Sequence, residues 1–436
     1  MNNHAFWKEE KISELLDLVI DYRGKTPKKM GSDWQSSGIP AISAKNIKKG
    51  RIVRDDTIKY VSEELYHKWM KHELAAEDII LTSEAPLGEI LFLKRKLKMV
   101  LSQRLFALRA NKNIIEPLYL SYYLESDFGQ AELYSRATGA TAQGIRQSLL
   151  LDVKVRLPSI PAQRKIAAIL SAYDDLIENN LRRIKILEEM AQLIYREWFV
   201  HFRFPGHEKV KMVDSPLGQI PEGWELSCLG DHLITLESGK RPKGGIQDIS
   251  EGIPSIGAEN INGIGKHNYQ SEKYVSLNFF DSMNKGKVKD RDVGLYKDGA
   301  YIGKSTYFRD GFPHDVCCIN EHVFLLRANG RTMTQNQLYL WLQEPSTVSA
   351  VRSTNANAAQ PGINQKGVRG LRVITAPEKI TSEFDNLVEP LLALLISLAK
   401  RNLILSQTRD LLLPKLISGE LDVSDLDITL PGEVSA

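Results

Sequence analysis

Three cysteines are too few for a disulfide framework, and Cys228, Cys317 and Cys318 include no C-x-x-C pair of the kind a zinc ribbon needs. That scarcity fits a reducing compartment, and the expected location is the cytoplasm. The longest largely apolar stretch, Leu391 to Ala399, is far short of the roughly 20 residues that span a bilayer. The first ten residues lack the apolar segment of a signal peptide, so no membrane association is expected. Catalytic signatures are missing as well. There is no Pro-Pro dipeptide, hence no Asn/Asp-Pro-Pro-aromatic motif of amino-methyltransferases, and no F-x-G-x-G loop to seat S-adenosylmethionine. The nine histidines include no H-E-x-x-H, and the spacing of His67 and His72 is poor for shared ligation on one helix face. Residues 299–305, GAYIGKS, fall one residue short of a phosphate-binding loop. Asp298-Gly299, after the strand-like Asp292 to Tyr296, reads instead as a hairpin turn, and the first-half counterpart Leu87-Gly88-Glu89 lacks the lysine. No catalytic residue, metal ligand or cofactor is therefore assigned to the chain itself.

Excess charge is also scarce. A net +3 is little for a protein held to nucleic acid by electrostatics alone. The cations are clustered, however: Arg23, Lys25, Lys28 and Lys29; then Lys45, Lys48, Lys49, Arg51 and Arg54; then Lys94, Arg95, Lys96 and Lys98. Later groups are Lys240, Arg241 and Lys243, and Lys285, Lys287, Lys289 and Arg291. Any one of these could be a solvated loop, but the first group recurs at the same place in the second half.

That recurrence is part of a general one. GIPAISAKNI, from Gly38 to Ile47, returns as GIPSIGAENI from Gly252 to Ile261. GKTPK at Gly24 returns as GKRPK at Gly239, FALRAN at Phe106 as FLLRAN at Phe324, and GIRQ at Gly144 as GINQ at Gly362. The order is kept and the offset drifts only from 214 to 218 residues, as expected of a duplicated domain. The period is far longer than the roughly 50 residues of solenoid and propeller repeats.

Each half opens with short apolar runs, such as residues 78–82 and 105–109, punctuated by Gly, Pro, Asn and Ser, and short helices are expected at 118–124 and 337–342. This predicts an α+β globule in each half. A long helix follows each globule. The first starts at Pro161, a residue favoured in a first turn, and runs to about Phe199. Ile166, Leu170, Tyr173, Ile177, Asn180, Ile184, Leu187, Ala191, Ile194 and Trp198 keep a 4-3 spacing, which is a coiled-coil seam. At ~1.5 Å per residue the helix is roughly 55–60 Å long. The second runs from about Ser382 to Ile417, with Leu391, Leu395, Leu398, Asn402, Leu405, Leu412 and Leu416 at the same spacing. Arg409 interrupts that seam, and Pro390 is expected to kink the helix or start its regular part. A seam asparagine costs stability but fixes register, so Asn180 and Asn402 are expected to lie near the middle of an antiparallel helix pair. The alternative is two helices each docked on its own globule. Trp198 and Phe199 are expected at an exposed position that a partner covers. The expected arrangement is 1–158 first globule, 159–200 central helical region, 201–220 linker, 221–376 second globule, 377–421 C-terminal helical region and 422–436 tail, closed into a pseudo-two-fold circle.

These features, with DVGLYKDGAYIGK at Asp292, REWFVHFRFPG at Arg196, GQIPEGW at Gly218 and LPKLISGEL at Leu413, make the chain similar over nearly its whole length to DNA-specificity subunits of type I restriction-modification systems. Singly the motifs are modest; in order and duplicated they are specific. The resemblance implies that the globules are target-recognition domains, each reading one half of a split double-stranded DNA site, and that the helices set the spacing. Half-sites about one helical turn apart need readers roughly 34–36 Å apart. It also implies assembly with two methyltransferase subunits and, in the full nuclease, restriction/translocase subunits. S-adenosylmethionine, ATP and Mg are then expected in those partners, which supply adenine N6-methylation, translocation and cleavage.

The family's base readers lie in variable loops, so candidates follow from chemistry alone. Lys25, Lys28, Lys240 and Lys243 suit phosphates beside glycines that allow close approach, and Arg23, Lys29, Lys45, Lys94, Arg241, Lys285 and Lys287 extend the basic set. Base edges suit Arg, Asn and Gln. The richest groups are Gln143, Arg146 and Gln147 in the first half, and Asn355, Asn357, Gln360, Asn364 and Gln365 in the second. Asn and Gln also satisfy loop backbone, which is the competing reading of both groups. The halves differ most at 48–105 and 262–322, so an asymmetric target is expected. Two other classes compete: a self-sufficient methyltransferase or nuclease, against which the missing motifs count, and a coiled-coil adaptor that binds only protein, against which the repeated basic loops count.

Overall fold

Gly38 and Gly252 explain the first repeat. In the computed structural model of the chain, which describes residues 7–139, 142–245, 249–299, 301–355 and 362–428, their φ angles are +129° and +145°. A Cβ would lie 2.5 Å from the Val61 carbonyl oxygen in one case and 2.4 Å from that of Val275 in the other. Only glycine fits where the chain enters a strand at positive φ against a neighbouring carbonyl. The motif's last polar residue is equally constrained. Asn46 and Asn260 are buried. Each accepts a backbone N–H at the start of its turn, from Ser43 and Gly257, while its Nδ2 holds the loop that follows, through Val53 O and Asn268 O.

The chain divides into two compact units, Met1–Asp175 with Leu405–Ala436, and Leu176–Ile404. In the first, a four-stranded sheet has the order Leu16–Asp21, Leu105–Ala110, Ile79–Ser83, Leu87–Phe92. Phe106 sits opposite Asp21 on one side and Leu81 on the other. A three-stranded sheet places Ile39–Ile42 antiparallel to Lys59–Val61 and parallel to Val100–Leu101. Lys8–Lys11 pairs with Lys154–Leu157. The second unit repeats all of this. Its sheets are Leu233–Ser238, Val323–Ala328, Val293–Tyr296, Ser305–Tyr307, then Tyr274–Val275, Ile253–Ile256, Cys318–Ile319, with Glu225–Cys228 against Arg372–Thr375. The alternating central strands bury both faces: Leu105 to Leu108 and Val323 to Leu326 are almost wholly inaccessible. Short helices Pro117–Glu125 and Gln335–Gln343 cover these sheets.

The recurring arginine of FALRAN and FLLRAN braces a buried aspartate. Arg109 grips Asp78 with Nε at 2.8 Å and Nη2 at 2.8 Å, and Arg327 grips Asp292 at 2.5 and 2.7 Å. Both aspartates are inaccessible to solvent. Such a pair is costly to break, because the remaining charge has no partner.

Both long helices are present, Ile160–Phe199 (central) and Glu378–Ser418 (C-terminal). In the first unit Ile166 and Leu170 share an apolar cluster with Leu416 and Ile417. In the second, Ile184, Leu187, Ala191 and Tyr195 share one with Phe384, Val388, Leu392, Leu395 and Leu398. Tyr195 meets Phe384 edge-on at 6.0 Å and Asn180 meets Asn402, so the helices run antiparallel. Arg409 is accommodated at the seam by Asp174 at 2.5 Å, whose other oxygen accepts the Tyr122 hydroxyl at 2.5 Å.

Two expectations about the helices need correction. The C-terminal helix starts at Glu378, ahead of Ser382, and continues through Pro390 and Pro414; burial of Phe384 and Val388 holds the turns before Pro390 in place. Trp198 and Phe199 are buried, not exposed. They pack on Phe384 and Phe199 also on Trp224, an aromatic cluster completed by the segment after the helix. The apolar side chains that the central helix exposes are Leu176, Ile186, Met190 and Leu193. Among the described residues, no helix is long and apolar enough to cross a membrane.

Candidate nucleic-acid interface

In the first unit two of the candidates, Arg23 and Arg146, line a cleft of about 540 Å³ together with Asp21, Gly24, Ser83, Glu84, Gln103, Arg104, Thr138, Gly144 and Ile145. Three segments build it. The loop after Leu16–Asp21 turns at Gly24, whose φ of +84° meets open space. The segment 143–147 is stitched to a strand end, Ile145 N–H to Ser83 O at 2.9 Å. The third is the turn before Leu105. Arg23 ties the first two together: it forks onto Asp21 at 2.9 and 2.8 Å, donates Nη1 to Ile145 O at 3.1 Å and covers the Phe106 ring at 3.9 Å. Its guanidinium is thus largely committed within the protein.

Lys25 is similarly engaged. Its ammonium donates to Trp69 O at 3.0 Å and lies 4.2 Å from the centre of the Tyr22 ring. Burial, and then the Lys71 charge, lower its pKa below the usual lysine value. Lys29 donates to Gly24 O at 2.8 Å while remaining exposed. Lys28 and Lys45 are exposed. Lys94 is exposed and pairs with Asp175 at 2.6 Å. Gln143 and Arg146 are exposed, and half-buried Gln147 opens the short helix Gln147–Leu151.

The second unit repeats the frame with different fittings. Ile363 N–H is stitched to Lys297 O at 2.9 Å, as Ile145 is to Ser83. Lys297 rides over Phe324 at 5.2 Å, where the first unit has Arg23 over Phe106. Lys240, Lys243 and Lys285 are exposed; Arg241 faces Glu321 at 3.7 Å. Lys287 is half-buried, donating to Asp281 O at 3.2 Å beside the Phe280 ring. Asn364 caps the helix Gln365–Arg369 by accepting Gly367 N–H at 2.9 Å, and Asn355 accepts Gly362 N–H at 2.9 Å. The acceptor oxygens of both are occupied by backbone; Gln365 is exposed. Asn357 and Gln360 lie outside the described residues.

Gln103, Arg104 and Glu84 were not anticipated from the sequence. Arg104 has a φ of +66° and pairs with Glu84 at 2.9 Å on the cleft wall. No motif marks them, since they gather from two separate turns. Together the loops present ammonium groups, amide donors and acceptors around backbone that glycines leave open, an arrangement suited to binding a polyanion with hydrogen-bonding edges.

Residues 6–189 match the Type I restriction modification DNA specificity domain. The chain is 26% identical to the Type I restriction enzyme MjaIX specificity subunit of Methanocaldococcus jannaschii, over 96% of this chain and 94% of that one. It is 22% identical to the HindI specificity subunit of Haemophilus influenzae, over 77% and 84% of the two chains. Its fold is similar to the crystal structure of the type I restriction-modification S subunit from M. genitalium, with a TM-score of 0.57 and 16% identity, over 95% of this chain and 97% of that one. Over nearly its whole length the chain is thus similar to specificity subunits of type I restriction enzymes.

Proposed function

We propose that this chain reads a bipartite, asymmetric double-stranded DNA site, one half with each globule, and that it contributes recognition rather than catalysis to its complex. The observation that carries this reading is the pairing of a repeated frame with unlike loops: the stitch at Ile145 and Ile363 is kept, whereas Arg23 over Phe106 gives way to Lys297 over Phe324. A common frame with different fittings suits two related but unequal half-sites. Exposed Lys28, Lys29, Lys240 and Lys243 contact phosphates. Gln143, Arg146 and Gln365 are the side chains best placed for base edges, and Lys25 positions its loop.

The helices set the distance between half-sites and dock two methyltransferase subunits, which supply S-adenosylmethionine-dependent N6-methylation; restriction/translocase subunits add ATP- and Mg-dependent cleavage. The exposed apolar stripe Ile186, Met190, Leu193, at 4-3 spacing on one helix face, supports the docking role. Mapping N6-methyladenine across the native genome before and after deleting the gene tests the proposal. Loss of one bipartite, asymmetric motif is expected. An unchanged methylome, or loss of a palindromic motif, rejects it.

A further inference from the structure

In the second unit three side chains with metal-ligating atoms converge. His267 Nε2 lies 2.6 Å from Glu272 Oε1, and His314 Nε2 reaches the same oxygen. The ligand atoms of all three lie within 4.8 Å of one another, and among the described residues no other such group of His, Cys, Asp and Glu is found. The site is enclosed: the side chains of His267, Glu272 and His314 are 2%, 5% and 25% exposed. Tyr274 donates its hydroxyl to Glu272 Oε2 at 2.9 Å. Tyr269 stands edge-on to both imidazoles, at 4.6 and 5.6 Å.

We propose that His267, Glu272 and His314 bind one zinc ion, with water in the fourth position. Two imidazoles and one carboxylate are a recognised zinc ligand set, with bonds of about 2.0–2.2 Å. Ligand atoms already gathered this closely need to move by no more than about 1 Å to exchange their mutual hydrogen bonds for bonds of that length. Tyr274, whose hydroxyl donates to Glu272 Oε2, is the outer partner that orients the carboxylate.

The trio is not part of the duplicated frame. At the 214-residue offset of this region, His267 and Glu272 correspond to Val53 and Ile58; at the 218-residue offset of the next strand, His314 corresponds to Lys96. The first globule forms the same sheets without it, so the ion is an addition peculiar to the second globule. It would cross-link the loop 262–273 to the loop 309–316, within the stretch where the halves diverge most.

The test uses the untagged full-length chain, stripped with a chelator and titrated with ZnSO4. One zinc per chain is expected by elemental analysis and calorimetry, with a Tm raised by several degrees. Co2+ in its place is expected to give the visible d–d absorption of a low-coordinate imidazole site. His314→Asn, at the most exposed ligand, is expected to keep the metal-free Tm and circular dichroism while losing zinc uptake and the cobalt spectrum; Glu272→Gln, which keeps the side-chain shape, is expected to lose both as well. Failure of the wild-type chain to take up stoichiometric zinc overturns the proposal. So does uptake that survives in His314→Asn; either result reduces the trio to a hydrogen-bonded brace.

Discussion

Asn180 donates its side-chain N–H to the Asn402 side-chain oxygen at 2.8 Å, in the buried seam between two helices whose residues here are 222 positions apart. Asn402 Nδ2 also reaches Ile177 O at 3.4 Å. A buried amide left without its partner costs about 1–3 kcal/mol. Asn180→Leu alone is therefore expected to lower stability by that much, whereas Asn180→Leu with Asn402→Leu costs less than the sum of the single changes. A double-mutant cycle by thermal or denaturant unfolding reads the coupling; additive costs would mean that the two amides do not act as a pair.

The lysines of the repeated GK-x-PK loop separate into two roles. Lys28 and Lys243 are exposed, so Lys28→Ala with Lys243→Ala should weaken DNA binding by the complex across all sequences and reduce the slope of log K against log salt by about 2. Lys25 is tied to the Trp69 carbonyl. Lys25→Ala should change the slope little and lower Tm instead. Binding isotherms at several salt concentrations, with melting curves, distinguish the two behaviours. An unchanged slope for the double variant removes the phosphate role.

The glycines that open those two loops are retained for different reasons. Gly24 has φ +84° and open space around it, whereas a Cβ on Gly239 would sit 1.8 Å from Ile319 O. Asparagine tolerates positive φ better than alanine. Gly24→Ala should thus cost about 1–2 kcal/mol, with Gly24→Asn cheaper. At Gly239 both substitutions should be severely destabilising, because the obstacle is backbone. Melting temperatures of the four variants check this, and a mild Gly239→Ala would refute the steric account.

Much of the frame was legible because it rests on periodicity and repetition. The 4-3 spacing around Asn180 and Asn402 encodes a seam whatever lies beside it, and the equal offsets of Gly38 and Gly252 mark a backbone requirement met twice. Residues whose role depends on local cap geometry or on contacts distant in sequence were not legible. Asn364 looks like a base reader, but its oxygen caps the helix that starts one residue later. Arg23 belongs to a basic cluster, yet Asp21 and Ile145 consume its donors. Glu272 and His314 stand 42 residues apart, with no motif spacing to connect them, and only the convergence of two loops makes them neighbours.

Glu389 carries a pH dependence. It accepts Arg291 Nη2 at 2.6 Å, Arg309 Nη2 at 2.8 Å and Asn336 Nδ2 at 2.8 Å, and Arg309 is only 1% exposed. Burial alone would raise the carboxyl, but these hydrogen bonds outweigh it and bring the pKa from 4.5 down to about 2. The folded value lies below the unfolded one, so this contribution is complete above pH 4.5 and is lost as pH falls towards 2. Glu389→Gln should cost about 1–3 kcal/mol near neutral pH, less than a fully buried pair, because solvent reaches the carboxylate and Arg309 keeps Asp310. The difference from wild type should shrink as pH falls through that window. Urea midpoints measured across it decide the matter; a constant difference would place the stabilisation elsewhere.

The exposed stripe on the central helix gives the sharpest test of partner docking. Ile186 and Leu193 are 54% and 57% exposed, while the opposite seam positions Ile184, Leu187 and Ala191 are buried in the helix pair. Placing charge on the exposed face leaves the seam untouched, so Ile186→Asp with Leu193→Asp should alter Tm little. Surface changes away from special features usually fall within about ±0.5 kcal/mol. If this face meets the methyltransferase subunits, the same variant desolvates two carboxylates at the interface, and co-purification with those subunits should drop at least tenfold, a loss of about 1.4 kcal/mol or more in binding. N6-methylation of the target should fall in parallel. A variant that folds, assembles and methylates like wild type would move the docking surface off this stripe and onto the exposed positions of the C-terminal helix, Leu387, Leu394 and Ile404.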